Sequence, residues 1–170
     1  MVRGLKQTSS VVAIGFRAQE TAANTFAESS IDLNLSPLDR EVFVVLAVNL
    51  DPQIPDSIAG VTTNVRTSLT TTSQTSPVHL NNSNCLAAAT NQISMNAGAV
   101  DGAAFQTLGL ETPPATLEFI GIIATNDFFI QIVGLGNVNA KNVNGKLYGY
   151  RAVADASVFA ALVQSEVLSA

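Results

Sequence analysis

The residue types that could perform nucleophilic catalysis are scarce in this sequence. His79 is the single histidine and Cys85 the single cysteine of the 170 residues. A Ser–His–Asp triad or a Cys–His dyad would therefore have to use His79. The G-x-S-x-G pattern of a nucleophile elbow does not occur. Because Pro77 lies shortly before it, His79 is predicted to lie in a loop or at a strand end. Apolar residues follow Cys85, which predicts a small buried cysteine. With no catalytic motif present, we expect no enzymatic activity.

Metal and cofactor sites have little support either. One cysteine and one histidine cannot complete a tetrahedral zinc site. Asp51 and Asp56 bracket a proline-bearing loop of the kind that a calcium ion can use, but the spacing is not that of an EF-hand and a solvated turn explains the two residues better. Gly134-Leu135-Gly136 begins like a dinucleotide fingerprint, yet Asn139 stands at the third glycine position and a turn follows it. We expect no cofactor and no metal.

The composition predicts a protein that is packed against other copies of itself. Charged residues make up 12% of the chain and hydrophobic residues 47%, whereas an ordinary soluble domain has about 25% charged residues. Soluble monomers rely on dispersed surface charge, which is scarce here. This apolar content also excludes a disordered chain. No apolar stretch approaches the roughly 20 residues of a membrane-spanning helix.

The hydrophobic pattern predicts β-strands along almost the whole chain. Residues 31–35 alternate apolar and polar side chains, as a half-buried strand does. Glu41–Leu50 is a continuous run rich in β-branched residues, which predicts a strand covered on both faces and ended by Pro52. The other predicted strands are 11–16, 61–73, one or two short strands around 85–88 and 92–95, 116–124, 128–133 and 146–153.

The turn signals predict how these strands connect. The short segment Thr125–Asp127 predicts a hairpin between the strands on either side of it. Asn144-Gly145 is the dipeptide most typical of a type I′ turn. The small, glycine-bearing segment 96–109 predicts a long loop.

The C-terminal residues predict one helix that accompanies a β-sandwich. Asp155 is placed to cap a helix, and apolar residues then recur on one stripe: Val158, Phe159, Leu162, Val163 and Val167. About eight strands favour an all-β, antiparallel two-sheet sandwich or single jelly roll. We divide this single domain into an N-terminal arm with the start of the first strand (1–19), the sandwich (20–154) and the C-terminal amphipathic helix (155–170).

Positive charge is concentrated at the N-terminus. Residues 1–19 contain Arg3, Lys6 and Arg17 and no acidic residue, while the net charge of the chain is −5. That net charge argues against a protein devoted to neutralising phosphates. The N-terminal charges fit either a polar terminus with incidental charges or a weakly basic arm that faces a polyanion.

The order of these features resembles the single-jelly-roll capsid proteins of icosahedral viruses. The shared features are a short basic N-terminal arm, about eight strands in under 200 residues, a body rich in Thr, Ser and Asn, and no catalytic constellation. The resemblance is architectural and spans the whole chain. It implies a virion location and a shell of many identical copies, with or without other capsid proteins. It also implies that Arg3, Lys6 and Arg17 face the lumen.

The weak charge of this arm implies weak or indirect contact with nucleic acid. A shell whose interior contacts a membrane or a separate basic protein fits better. The apolar run Val11–Phe16 is shorter than the hydrophobic region of a signal peptide, so we expect synthesis in the host cytoplasm without one.

Two segments are candidates for contacts between subunits. Val11, Val12 and Ile14 could pair as an added strand on a neighbour. Phe159 and Leu162 could dock on the sandwich or on a neighbour. Two other classes stay open: a secreted or surface-displayed β-sandwich binding module, such as an adhesin or carbohydrate-binding domain, and a tube or tail-tube subunit.

Overall fold

The computed structural model describes residues 3–96, 101–113 and 116–170, which form eleven strands and one helix. The strands are β1 (Leu5–Gln7), β2 (Val12–Gln19), β3 (Ala27–Asp32), β4 (Glu41–Pro52), β5 (Thr63–Thr70), β6 (Cys85–Met95), β7 (Gly102–Thr107), β8 (Gly109–Glu111), β9 (Gly121–Ile123), β10 (Asp127–Leu135) and β11 (Asn142–Ala154). The helix is α1 (Ala156–Leu168). Within the described residues, no helix is long and apolar enough to cross a membrane.

The strands form two antiparallel sheets. In sheet A, β1 and β2 both pair with β11, β11 pairs with β4, and β4 pairs with β8 and β9. In sheet B the order is β3, β10, β5, β6, β7. The strands of sheet A thus come from both ends and the middle of the chain, and those of sheet B from the segments between them. Two interleaved Greek keys of this kind make a jelly roll, so the predicted fold class is confirmed.

The two sheets enclose the main core, which we define as the buried cluster that includes Phe16, Phe43, Val65, Phe128 and Leu147. Phe16 of sheet A and Phe128 of sheet B meet edge to face, with 5.5 Å between their ring centroids. Aromatic pairs favour this geometry because the positive edge of one ring meets the negative face of the other.

Strand β4 is buried on both faces, as its continuous apolar run predicted. Phe43 and Val45 face the main core. Val42 and Val44 face a second cluster on the outer side of sheet A, which also contains Leu5, Ala124, Ala152 and Ala154. The register between β4 and β11 shifts by one residue at a bulge: Ala47 pairs with Tyr148 and Val45 pairs with Gly149, so Leu46 has no partner in the register.

Helix α1 covers this second cluster. The Asp155 carboxylate caps the helix by accepting a hydrogen bond from the Val158 N–H, as predicted. Val158, Phe159, Leu162 and Val163 then pack on the cluster. The helix therefore lies outside the sandwich and buries the second face of β4.

The hairpin predicted across Thr125–Asp127 is wrong. β9 pairs with β4 in sheet A, whereas β10 pairs with β3 and β5 in sheet B. The connection crosses from one sheet to the other and is held by Asn126, which accepts hydrogen bonds from the N–H groups of Leu33 and Leu35. These contacts with a distant segment are invisible to a local turn pattern.

The type I′ turn predicted at Asn144-Gly145 is also wrong, since both residues lie inside β11. A Cβ at position 145 would collide with the Phe16 ring and the Asn49 carbonyl oxygen. The glycine is therefore required by close packing and not by a turn.

Several further boundaries differ from the prediction, and the strand expected at 116–124 is limited to β9 (Gly121–Ile123). Residues 85–95 form the single strand β6, and the expected long loop at 96–109 contains β7 and the start of β8, while residues 97–100 lie outside the described residues. The strand expected at 31–35 runs over 27–32 instead. The residues of β7 (GAAFQT) do not alternate between apolar and polar side chains, which is why the periodicity missed this strand. Strand β3 ends before Asn34, whose φ of 54° is not that of an extended strand.

Candidate assembly surfaces

The two candidate catalytic side chains have other hydrogen-bond partners, which are Arg66 for His79 and the Ala87 carbonyl for Cys85. His79 is exposed, and its Nε2 lies 3.3 Å from a guanidinium nitrogen of Arg66. Burial raises the pKa of Cys85 to about 11, with the nearby charge of Glu111 adding to the effect. The thiol is therefore protonated at neutral pH and is a poor nucleophile. Within residues 3–96, 101–113 and 116–170, no three His, Cys, Asp or Glu side chains are placed to hold a metal ion.

The Asp56 carboxylate, which sequence reasoning left open as a cation ligand, is occupied by donors of its own chain. Lys141 Nζ lies 2.6 Å from Oδ1, and the N–H groups of Val138 and Asn139 each donate to Oδ2 at 2.9 Å. The hydrogen bond from Lys141 and those from the backbone lower the pKa of Asp56 to about 2. Asp51 is exposed on β4. Asp56 thus forms a clamp with Lys141 and the backbone of residues 138–139.

This clamp extends into a buried polar cluster at one end of the sandwich. The Glu20 carboxylate accepts hydrogen bonds from the N–H groups of Gly134 and Lys141. Asn137 exchanges two hydrogen bonds with Asn24 and accepts one from the Asp56 N–H. Sequence reasoning missed this cluster. The sequence signal for this cluster was Lys141, a lone lysine in a Gly- and Asn-rich loop. If such a lysine is buried, it requires an acidic partner.

A second polar cluster lies on the outer face of sheet B. The buried side chain of Gln131 accepts from Ser68 Oγ and donates to Glu28 and Thr70. Residues 71–84 lie over this face, because Glu28 also accepts from Ser73 and Gln74. The threonine-rich segment therefore covers part of sheet B, as α1 covers part of sheet A.

Exposed apolar side chains remain at the margins of the sandwich. Among the described residues, sixteen large hydrophobic side chains are exposed: Val11, Val12, Phe26, Leu38, Ile54, Val61, Leu80, Phe105, Leu108, Leu110, Leu117, Leu135, Val138, Tyr148, Val167 and Leu168.

The free edge of sheet B is the clearest such margin. All six residues of β7 are exposed, and β7 pairs with β6 alone among the described strands. The strand GAAFQT carries no charge and no proline. A groove of about 330 Å³ beside it is lined by residues that include Ile54, Pro55, Ile93 and Phe105. Within β7 itself, this edge lacks the charge and the proline with which monomeric proteins discourage strand pairing.

The predicted N-terminal residues lie at the opposite edge, in sheet A. Lys6 and Arg17 are exposed and belong to β1 and β2, which are tied to β11, so the segment is part of the sheet from Leu5 onward and does not extend away from it. Arg3 is exposed and precedes β1. Whether these three residues face a lumen stays a prediction.

The predicted interface residues occupy different environments. Val11 and Val12 are 54% and 41% exposed, whereas Ile14 packs against the main core. Phe159 and Leu162 pack on the second cluster of the same chain. Their contacts with a neighbouring subunit stay predictions.

No protein-family model matches the chain, and no curated protein sequence matches it. Among solved structures, it is similar to VP1 of Merkel cell polyomavirus in complex with GD1a oligosaccharide, with 6% identity, a TM-score of 0.43, and coverage of 89% of this chain and 99% of that chain. VP1 of trichodysplasia spinulosa-associated polyomavirus is 7% identical, with a TM-score of 0.41 and coverage of 86% and 97%. A chain in the structure of Desmodium yellow mottle tymovirus is 10% identical, with a TM-score of 0.27 and coverage of 87% of this chain and 91% of that chain.

Proposed function

We propose that this protein is a structural subunit of a viral capsid, in which many identical copies form the shell and the protein resides in the virion. The observation that carries the proposal is a jelly roll whose uncharged strand edge and apolar margins are exposed, while segments of the same chain cover part of each outer face. A sandwich built in this way is suited to lateral contacts.

The physical argument concerns the margins. Each large apolar side chain that a neighbouring subunit fully buries contributes about 1.5–3 kcal/mol to association. Phe105, Leu108 and Leu110 are all more than half exposed within one short stretch of the chain. An interface that covers such a stretch and the side of β7 that faces away from β6 gains both apolar burial and hydrogen bonds.

The N-terminal charges support only a modest interaction with a packaged polyanion. Arg3, Lys6 and Arg17 could neutralise three phosphates at most, so affinity for nucleic acid should depend on salt with a slope of about −2 to −3. Arg3 is the best placed of the three to face the lumen, because it precedes the first strand of the sheet.

The size of the purified protein tests this proposal. Light scattering coupled to gel filtration, followed by negative-stain electron microscopy, should show closed shells. A monodisperse monomer of 17.7 kDa at all concentrations would overturn the proposal in favour of a binding module. Open cylinders would overturn it in favour of a tube subunit.

A further inference from the structure

The turn that precedes β4 holds a leucine away from the protein. Leu38 is 94% exposed, the highest value among the large hydrophobic side chains that the structure describes. The turn around it is ordered by hydrogen bonds: the Arg40 N–H donates to the Pro37 carbonyl at 3.2 Å, and Ser36 Oγ donates to Asp39 at 2.7 Å. Leu38 is therefore presented to solvent by a defined turn.

An apolar groove of about 320 Å³ lies directly beside this turn, between it and α1. Its apolar walls come from Leu35, Pro37, Ala124, Phe159 and Val163. The groove is larger than a water-sized void, and it shares Pro37 with the turn that exposes Leu38.

The polar groups at the groove are satisfied by the chain itself. The Glu41 carboxylate accepts a hydrogen bond from the Ser36 N–H and contacts the Arg151 guanidinium at 3.4 Å. The Thr125 N–H donates to Glu166. An apolar side chain can therefore enter the groove without leaving these groups unpaired.

Charges of both signs directly follow the leucine. Asp39 and Arg40 are exposed, and neither belongs to the two ion pairs found in the described part of the chain. Within the chain, Asp39 accepts a hydrogen bond from Ser36, and the charge of Arg40 helps to lower the pKa of Asp155. When two copies meet about a two-fold axis, a patch that carries one acid and one base next to each other complements itself, because each acid meets the partner's base.

We propose that this surface is a two-fold contact between copies of the chain, in which Leu38 of each copy enters the groove beside α1 of the other and Asp39 pairs with the partner's Arg40. An exposed leucine, an apolar groove and charges of both signs make this patch self-complementary, as an isologous contact requires. The inference rests on the proposed function, since it identifies one contact from which the shell is built.

Substitution of the leucine is the first test. Leu38→Ala should raise the dissociation constant of the smallest oligomer seen by sedimentation velocity by roughly 10- to 100-fold, and Leu38→Asp should abolish this oligomer. Leu80→Asp is the matched control, because Leu80 is also in a surface turn and is 61% exposed. It should leave the oligomer unchanged, and equal effects of the two Asp variants would overturn the proposal.

A charge exchange tests the two-fold symmetry. Asp39→Arg alone and Arg40→Asp alone should each lose the oligomer, since like charges then face each other. An equimolar mixture of the two variants should recover it, as should the chain that carries both changes. Failure of the mixture to recover, with thermal unfolding of each variant unchanged, would overturn the contact.

Wild-type behaviour separates this inference from the proposed function. If the Leu38→Asp protein forms shells as well as the wild-type protein does, the two-fold contact is overturned and the capsid proposal stands. A wild-type protein that stays monomeric would overturn both.

Discussion

At the scale of single residues, buried carboxylates bind backbone N–H groups of distant segments. Glu20 accepts from Gly134 and Lys141, and Glu166 of α1 accepts from the two N–H groups at Ala124 and Thr125. Each carboxylate satisfies donors that would otherwise be buried without partners. In a chain with so few charges, these side chains serve to position loops and α1.

Glu166 gives a pH-dependent prediction. Its pKa is raised above 4.5, chiefly by burial, although the N–H groups of Ala124 and Thr125 oppose the shift. The folded state therefore binds the proton more tightly than the unfolded state, and the stability that Glu166 contributes falls as pH rises from about 4.5 through the raised pKa. Glu166→Gln should remove this part of the slope.

Urea unfolding of both proteins between pH 4.5 and pH 8 measures the difference. The stability of wild type relative to Glu166→Gln should decrease with rising pH and then level off. Asp51→Asn, at an exposed position on β4, controls for the loss of one negative charge. A constant difference between wild type and Glu166→Gln across this range would contradict the prediction.

At the scale of elements, two glycines of β11 leave room for aromatic side chains of the neighbouring strands of sheet A. Sheet A places Gly145 against the Phe16 ring and Gly149 against the Phe43 ring, so two large aromatic side chains of the main core rest on glycines. Both glycines lie inside β11, the strand with which β1, β2 and β4 all pair. The small size of these residues is therefore part of the packing of the core.

Replacing Gly145 by Ala should lower the free energy of unfolding by about 1–3 kcal/mol, because Phe16 and the Asn49 backbone must shift to admit the methyl group. Gly15→Ala is the matched control, since nothing lies within 4 Å of a Cβ at that position of β2. It should leave stability unchanged or raise it by about 0.5–1 kcal/mol. Equal effects in denaturant titrations would show that Gly145 is not constrained by packing.

At the scale of the whole molecule, the covered and free surfaces are unevenly distributed. Residues 71–84 and α1 each cover part of one outer face, while β7 and the turn at Leu38 are left open. An isolated protein would normally protect such an edge with charge, proline or a bulge. The absence of these devices on β7 fits a strand that another copy covers.

A lysine placed on β7 should therefore reduce assembly. Ala103→Lys should weaken association by about tenfold, or about 1.4 kcal/mol per contact, because the charge would be buried between subunits. Thr75→Lys, at an exposed position on the segment over sheet B, should have no such effect. The assembled fraction measured by light scattering decides, and equal assembly of the two variants would remove β7 from the interface.

The sequence by itself determined the features that depend on neighbouring residues. The continuous apolar run of β4 indicated burial on both faces, and Asp155 marked the start of α1, because strand burial and helix capping are set within a few residues. The strand-rich pattern likewise predicted a jelly roll with one C-terminal helix.

Only the tertiary structure decided the features that depend on distant contacts. Asn144-Gly145 has the chemistry of a turn, yet Phe16 and β4 hold it inside a strand. Thr125–Asp127 looks like a hairpin, yet Glu166 and residues 33–35 direct the chain from sheet A to sheet B. The apolar groove between the Leu38 turn and α1 and the free edge of β7 also arise from segments far apart in sequence. Local preferences of about 1 kcal/mol yield to the larger free energy of packing the core, so these choices were made in three dimensions.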